Sequence, residues 1–373
     1  MTRHYRYLIK GWITALGILL FTVSVPLHAV ETSPSPEAPG REMARQATQA
    51  KRSGITVDHS RLEVLSKPFK SGPEITKACQ SCHTEAESQF HQSIHWTWKA
   101  DETRGKAGYS LNNFCISANK MTDKGCLSCH PSWNKGLDSI NCLVCHGQKD
   151  LNLEEAFEDL KALSVSKDPE EVELAKEIQE NIRTAAQSIG LPGRKNCGSC
   201  HFYGGGGDGV KHGDLDSSLT KPNKGLDVHM GIDGQDFRCT RCHTTKLHNI
   251  AGRVYTVPAA SSRKSLVEDD LIAKITCESC HTGTPHKAGS KPNDHTDRVA
   301  CQTCHIPAFA RVNPTKMVWD WSKAGKLKDG KPYKTTGEFG KEDYLSIKGE
   351  MKWEKTVKPV YYWFNGSIES VTA

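Results

Sequence analysis

One five-residue pattern, Cys-x-x-Cys-His, constrains this chain more than any other feature, because it occurs seven times. The copies are Cys79/Cys82/His83, Cys126/Cys129/His130, Cys142/Cys145/His146, Cys197/Cys200/His201, Cys239/Cys242/His243, Cys277/Cys280/His281 and Cys301/Cys304/His305. They use all but one of the 15 cysteines. Random placement at this Cys and His content gives roughly 0.03 copies, so the pattern carries chemistry. Two thiols separated by two residues can reach the two vinyl groups on one edge of a porphyrin. The next residue then offers an imidazole to the iron. Zinc ribbons use Cys pairs but need no His directly after every second one. Disulfides impose no rule about His. The pattern therefore predicts seven covalently attached haems c, held by these 14 cysteines and ligated by the seven motif histidines.

Composition agrees with a core that side chains do not fill alone. Hydrophobic residues make up 36% and aromatics 7% of 373 residues, a low share for a chain folding on aliphatic side chains. The expected fold is mainly α with many loops and little β, a multihaem cytochrome c whose core is stacked haems. The formal charge of +6 invites a nucleic-acid reading. Removing Arg3, Arg6 and Lys10 with a signal segment leaves 46 basic against 43 acidic residues. Each haem adds two propionates, so the loaded protein is expected to be acidic and to bind no nucleic acid.

Residues 1–29 read as a cleaved secretory signal: a basic start, an apolar run from Trp12 to Leu27, and Ala29 before the cut. That run is shorter than the roughly 20 residues a span needs. Export to the periplasm follows. Residues 30–55 are expected to be a flexible linker, 56–310 a multihaem domain, and 311–373 a C-terminal extension that reads as shortened.

Seven irons need seven further ligands. Outside the signal segment, eight other histidines remain: His59, His91, His95, His212, His229, His248, His286 and His295. That is close to one per haem, as expected if most irons carry two imidazoles. The interval from Leu151 to Ile189 holds no Cys, His or Gly. There Asp168 can cap and Pro169 open a helix, with Val172, Leu174, Ile178, Ile182, Ala185 and Ile189 at helical spacing before Gly190 stops it. Its apolar face is expected to pack on the haem stack. Only 11 residues separate His130 from Cys142, so the second and third haems are expected to be neighbours. Gly204 to Gly207 lets backbone pass close to a flat macrocycle. Val360 to Gly366 reads as a strand entering an Asn-Gly turn.

The odd cysteine, Cys115, lies 11 residues before the second motif. It is either a small buried residue or a thiol beside an open haem. Here the chain resembles the octahaem tetrathionate reductase family of periplasmic multihaem cytochromes c. The resemblance rests on Asn112 to Ile116, Cys126 to His130, Asn141 to His146 and the Gly-rich block Asn196 to Asp216. Asp227 to Met230, Asn293 to His295, Cys301 to Pro307 and Asp320 to Ser322 extend it over roughly residues 56–366.

The resemblance implies a catalytic haem bound by Cys126, Cys129 and His130 among relay haems with two His ligands. It maps a displaceable amine ligand to Lys211, whose proton desolvation beside a cationic iron would remove. The implied substrate is tetrathionate, with nitrite and hydroxylamine as further ones. The partner is a periplasmic or membrane-anchored electron donor. Lys211, Cys115 and His130 are thus the catalytic candidates. The family carries eight haems and this chain seven motifs. A non-catalytic electron carrier with every iron held by two histidines is the competing reading, and hydroxylamine oxidation the third.

Mass spectrometry of the mature protein is expected to show seven added haems, with c-type pyridine haemochrome spectra. Cys304→Ser should lower the count by one; six or eight haems in the parent would contradict the motif reading.

Overall fold

A computed structural model describes residues 38–49, 56–97, 129–133, 139–204, 207–210, 213–251 and 277–363. Cys115, Cys126, Lys211 and His212 lie outside these residues, as does the signal segment. The described chain is mainly helical, with long irregular connections and small antiparallel sheets.

Its best-packed part joins the helices of the first and third motifs to a helical hairpin. Helix α1 is Pro39–Gln49, and α2 is Gly72–Gln80, which opens with Pro73 in its first turn and ends in the first Cys motif. Two short helices follow, α3 (Ala86–His91) and α4 (Ile94–Thr97). The third motif is itself a helix, α5 (Cys142–His146), capped by Asn141, whose side chain accepts from the Leu143 N–H. The hairpin is α6 (Leu153–Leu163) and α7 (Pro169–Gln187). Asp168 caps α7 as expected, accepting from the Glu170 N–H at 2.8 Å.

Three expectations need correction here. Helix α7 ends at Gln187, before Gly190. Ser188 N–H closes the last turn on Thr184, and the Gly190 N–H is used by the His146 carbonyl at 2.9 Å. Its apolar face rests on side chains: Ile182 and Ala186 are fully buried with Leu65, Phe69, Ile75, Ala78, Trp133, Leu143 and Ala156. Val172 and Leu174, placed by periodicity on the same face, are exposed. Within the segment expected as linker, α1 forms because Pro39 sets its first turn and Arg, Glu, Ala and Gln follow, all good helix formers. It is tied down: the Gly40 N–H donates to the Pro285 carbonyl at 3.1 Å.

A buried polar hinge fixes α2 to the strand-like segments around the second and third motifs. The Thr76 hydroxyl donates to the Ile140 carbonyl at 2.6 Å and accepts from the Trp133 indole N–H at 2.8 Å. Gly72 makes this possible, since a Cβ there would sit 2.1 Å from the Trp133 ring. Ser132 and Ile140 pair in an isolated antiparallel bridge.

Farther on come α8 (Arg194–His201), a two-residue hairpin of β1 (Thr245–Lys246) with β2 (Asn249–Ile250), α9 (Glu278–His281) and α10 (Gln302–His305). The C-terminal part is β: β3 (Thr315–Asp320), β4 (Leu327–Lys328), β5 (Lys331–Pro332), β6 (Lys334–Thr336), β7 (Glu342–Leu345) and β8 (Gly349–Glu354). Four of them form one sheet in the order β3-β8-β7-β6. Gly349, at φ +83°, makes the tight β7–β8 connection, where a Cβ would overlap the Asp320 carbonyl. Val360 to Trp363 form no strand. Pro359 removes a ladder donor there, and the Tyr361 hydroxyl instead donates to the Ile306 carbonyl at 3.1 Å.

Thr76→Val leaves both the Ile140 carbonyl and the Trp133 N–H unpaired in a buried place. Chemical unfolding should show a loss of roughly 2–4 kcal/mol, and Thr76→Ser should recover most of it.

Candidate haem sites

Each motif whose five residues are all described is shaped by a single turn of helix. The histidine N–H bonds back to the carbonyl of the first cysteine at 2.9 Å for His83 and His243, 2.8 Å for His281 and 3.0 Å for His305. Residues i, i+3 and i+4 of one turn share a face. Both thiols and the imidazole therefore point the same way. The sequence spacing is thus a helical spacing.

The motifs meet thiol to thiol, in an order that differs from the chain order. Cys79 of the first motif shares a hydrogen bond with Cys142 of the third, and burial adds to the rise in its basicity. Cys200 of the fourth does the same with Cys129 of the second, and its Sγ lies 3.8 Å from the Cys129 carbonyl. Cys197 of the fourth pairs with Cys239 of the fifth. Burial, then the Cys301 charge, pushes Cys277 up to about 12, joining sixth to seventh. Burial alone dominates at Cys145, pushed up to about 11. The facing thiols move the other way: the contact from Cys79 lowers Cys142, and that from Cys197 lowers Cys239 to about 6. Among the described residues, no three His, Cys, Asp or Glu side chains converge as a metal-ion site. The second and third motifs are linked through backbone instead, by the Asn141 N–H on the Pro131 carbonyl at 2.8 Å.

Not every cysteine that the sequence assigns to a haem is brought into these thiol pairs, and Cys82 and Cys280 differ from their motif partners in this respect. Cys82 is exposed in the turn after α2, where its Sγ lies 3.9 Å from the hydroxyl of the neighbouring Ser81. Cys280 is half-buried within α9 and faces the fifth motif: burial first, then Asp227 and Cys280, raise Cys242. The helical turn explains the difference. Three residues rise about 4.5 Å along the axis, so when Cys79 and Cys277 meet another motif, Cys82 and Cys280 stand one turn farther on. Cys242 and Cys304, the second cysteines of their own motifs, are exposed as well.

Two polar side chains clamp the fourth motif. The Asn196 amide donates to the Val144 and Gly147 carbonyls at 3.1 and 2.9 Å, tying α8 to α5. The Arg194 guanidinium donates to the Met230 and Phe237 carbonyls at 2.6 and 2.8 Å and to Asp236 at 2.7 Å.

The histidines are arranged in facing pairs. Ring centres are 6.3 Å apart for His59 and His83, 6.2 Å for His95 and His201, and 6.5 Å for His146 and His248. They are 6.0 Å apart for His229 and His281 and 5.9 Å for His286 and His305. An iron bonded at about 2.0 Å to an imidazole nitrogen on each side sets two ring centres roughly 6.3 Å apart. The residues present therefore fit a six-coordinate haem at five places. In each pair one ring belongs to an attachment motif and the other is one of the spare histidines.

Several rings are also held in the right tautomer. His146 Nδ1 lies 3.1 Å from the Gly190 carbonyl, His243 Nδ1 2.9 Å from Ala251 and His281 Nδ1 3.0 Å from Gly40. His248 Nδ1 meets the Gln89 amide oxygen at 3.1 Å and His286 Nδ1 that of Asn293 at 3.2 Å. A carbonyl oxygen only accepts, so Nδ1 donates and Nε2 keeps its lone pair for a metal. Burial first and the facing His201 second lower His95 to about 4, which keeps it neutral. Burial likewise lowers His130, against a backbone contact from Trp96.

The second motif is arranged differently. Trp96 stands between His91 and His130, its ring 4.5 Å from one and 4.7 Å from the other. His91 Nε2 and His130 Nδ1 are buried polar atoms without a hydrogen-bond partner, as is His59 Nδ1. His295 closes a 3-10 turn, Lys291–His295, and is exposed. Sequence reasoning missed Trp96, Gln89 and the Gly40 carbonyl, while Asn196 stood at the head of the Gly-rich block without a role. Asn293 did carry a signal, in Asn293 to His295, but it acts through His286.

Comparison with known proteins places this architecture. Residues 225–306 match the family described as cytochrome c7 and related cytochrome c, and residues 316–373 match bacterial cytochrome c. A crystal structure of octahaem cytochrome c from Shewanella oneidensis is 35% identical, with a TM-score of 0.60. The match covers 84% of this chain and 66% of that one. The chain is a multihaem cytochrome c. An uncharacterized protein of Archaeoglobus fulgidus is also similar, 26% identical over 253 residues, covering 52% of this cytochrome and 80% of the relative. The matched segment 316–373 carries no Cys-x-x-Cys-His here. No helix among the described residues is long and apolar enough to cross a membrane.

Proposed function

We propose that this cytochrome is a periplasmic reductase that collects single electrons on seven haems c and delivers them in pairs to tetrathionate. Haem c supplies a one-electron ferric/ferrous couple. The facing histidine pairs carry the reading. They assign His59 to the first motif, His248 to the third, His95 to the fourth, His229 to the sixth and His286 to the seventh. His91 and His212 remain for the other irons, with His295. Cys82 and Cys280 complete the first and sixth attachments in this reading, since a thiol outside the paired contacts is open to a vinyl group.

The site of reduction in this reading is the second motif, Cys126, Cys129 and His130. Two observations support it: His130 faces Trp96 where the five paired motif histidines face a second imidazole, and described residues on both sides of Lys211 in sequence are held by hydrogen bonds. There the Ser217 hydroxyl donates to Asp208, and the Asn313 amide to the buried Asp216 at 2.9 Å. The Arg311 N–H donates to Asp214 at 2.8 Å. Lys211 lies between Asp208 and Asp214 in sequence, and its amine is the ligand assigned here to bind and leave. Two electrons cleave the central S–S bond of tetrathionate and leave two thiosulfates. Cys115 is assigned the contact with the departing sulfur. Nitrite and hydroxylamine are further substrates in this reading.

The carrier reading draws on the same pairs, because five irons with two imidazoles each are closed to substrate. Electron paramagnetic resonance of the oxidised protein separates the two. The reductase requires one high-spin or His/Lys-type signal beside the low-spin bis-His ones; bis-His signals alone would make it a carrier. His286→Ala should convert one low-spin haem to high spin and leave the rest unchanged.

Lys211→Ala is expected to replace the signal of the second haem with a water-ligated one. Cys115→Ser should slow tetrathionate turnover by about tenfold or more while hydroxylamine turnover falls less. Equal tetrathionate turnover in parent and Cys115→Ser would return Cys115 to a packing role.

A further inference from the structure

The C-terminal sheet carries a surface that the reduction described above does not use. Lys316 Nζ lies 4.1 Å from the ring centre of Trp319 and 5.1 Å from that of Trp353. Lys348 reaches Trp319 at 5.9 Å and Lys341 reaches Trp353 at 5.6 Å. Both indoles are pinned, since Trp319 donates to the Lys348 carbonyl at 2.8 Å and Trp353 to the Glu342 carbonyl at 2.9 Å. Trp321 stacks on Trp319 at 4.5 Å and leaves 48% of its surface open.

Stacked lysines can simply shield a sheet face. Two facts argue for more. The carboxylates nearby are taken: Glu350 by Lys323 and Lys326 at 2.6 and 3.3 Å, and Glu342 by Lys334 at 3.1 Å. Among the described residues, Lys316, Lys341 and Lys348 have no carboxylate partner. Burial and the charge of Lys348 lower Lys316 to about 8, against Glu342. Like charges are thus gathered over apolar rings, and Glu342, the carboxylate that opposes Lys316, is itself held by Lys334. The imbalance is regional as well: residues 311–358 hold 12 basic and seven acidic side chains, while 150–187 hold four basic and 11 acidic.

The sheet is also bonded to the last haem motif. Phe309 and Val357 exchange two backbone hydrogen bonds of 2.8 Å, and the Tyr361 hydroxyl reaches the Ile306 carbonyl directly after His305. Cationic charge, an exposed indole and an adjoining redox motif make one combined feature.

We propose that this face docks an acidic one-electron donor protein, with Lys316, Lys341 and Lys348 facing its carboxylates and Trp321 as the apolar anchor. The proposal rests on the reading of the chain as an electron relay. In each encounter the partner is oxidised by one electron and this cytochrome reduced by one; no bond is made and no proton is moved.

The test uses the haem-loaded full chain and flavodoxin as an acidic probe. Oxidised flavodoxin, which passes no electrons, reports binding alone; its hydroquinone reports electron entry, with reduced methyl viologen as a small cationic comparison. The double variant Lys341→Glu/Lys348→Glu should weaken flavodoxin binding by about tenfold or more and slow reduction by the hydroquinone in proportion. Viologen rates should stay unchanged. The charge-matched control Lys328→Glu/Lys331→Glu, on the β4–β5 hairpin, should change binding much less. Trp321→Ala, which alters no charge, should also weaken it. Binding in the parent should fall steeply as salt rises from about 0.02 M to about 0.3 M.

Equal weakening in the double variant and its control, or binding indifferent to salt, would overturn the proposal. So would displacement of flavodoxin by sulfate but not by chloride at matched ionic strength, which would make the face a small-anion site. If viologen leaves the haems of the parent oxidised, the relay reading fails, and the docking proposal falls with it.

Discussion

A ligand imidazole is best oriented when its Nδ1–H donates to a fixed acceptor, which leaves Nε2 for the metal. That requirement organises much of this molecule. The acceptor for His146 is 44 residues away at Gly190, that for His248 is 159 residues away at Gln89, and that for His281 is 241 residues away at Gly40. Each bond orients a ring and at the same time ties distant chain together. Helix α1, which has no attachment residue of its own, is held in place through such a bond, and its position follows from the ring it serves. Ligand orientation and tertiary structure are here the same set of interactions.

The low hydrophobic content does not leave the fold without an ordinary core. Leu65, Phe69, Ile75, Trp133, Leu143 and Ile182 close around the helical hairpin, directly behind the first and third motifs. Leu143 belongs to the third motif, and Cys79 of the first packs against the cluster. The thioether positions of these two motifs are therefore anchored from behind by side chains. Their faces are left for the cofactor. A second, smaller cluster of Phe202, Leu219 and Leu226 supports the fourth motif in the same manner. Side chains and cofactor therefore share the core: a macrocycle can fill a slot only if something rigid forms its back wall.

What could be read in advance follows the range of the interaction responsible. The motifs, their face-sharing geometry and the Asp168 cap depend on five residues or fewer, and all were legible. Which cysteine of a motif would meet another motif was not, because Cys79 and Cys82 look alike in sequence and differ only in what lies across from them. Helix α7 stops before Gly190 because His146, far away in sequence, claims that N–H, and no local signal reports such a claim. Val172 and Leu174 satisfy the period of the helix but lie beyond the reach of the core. Spare histidines could be counted, yet their partners could not be assigned, because pairing depends on how motifs cross in space. The sheet was missed because its strands are short and rich in Lys and Thr, stabilised by indole and lysine stacking that hydrophobic patterning does not register.

The order in which the motifs touch bears on function more than their number. In a simple string each would meet only its neighbours in sequence. Here the first meets the third and the second meets the fourth, while the fourth also meets the fifth and is clamped to the third by Asn196. The fourth motif is thus a junction, and among the described thiol contacts the second touches it alone. A centre at the end of a branch can hold a substrate without interrupting transfer among the rest, whereas a centre in mid-chain cannot. Trp96 faces His130 in the motif that occupies that branch. If the second haem is the catalytic one, the branch explains why five closed irons and one accessible iron can share a single fold. It also makes Arg194 and Asn196, which touch no iron, the residues on which electrical continuity depends.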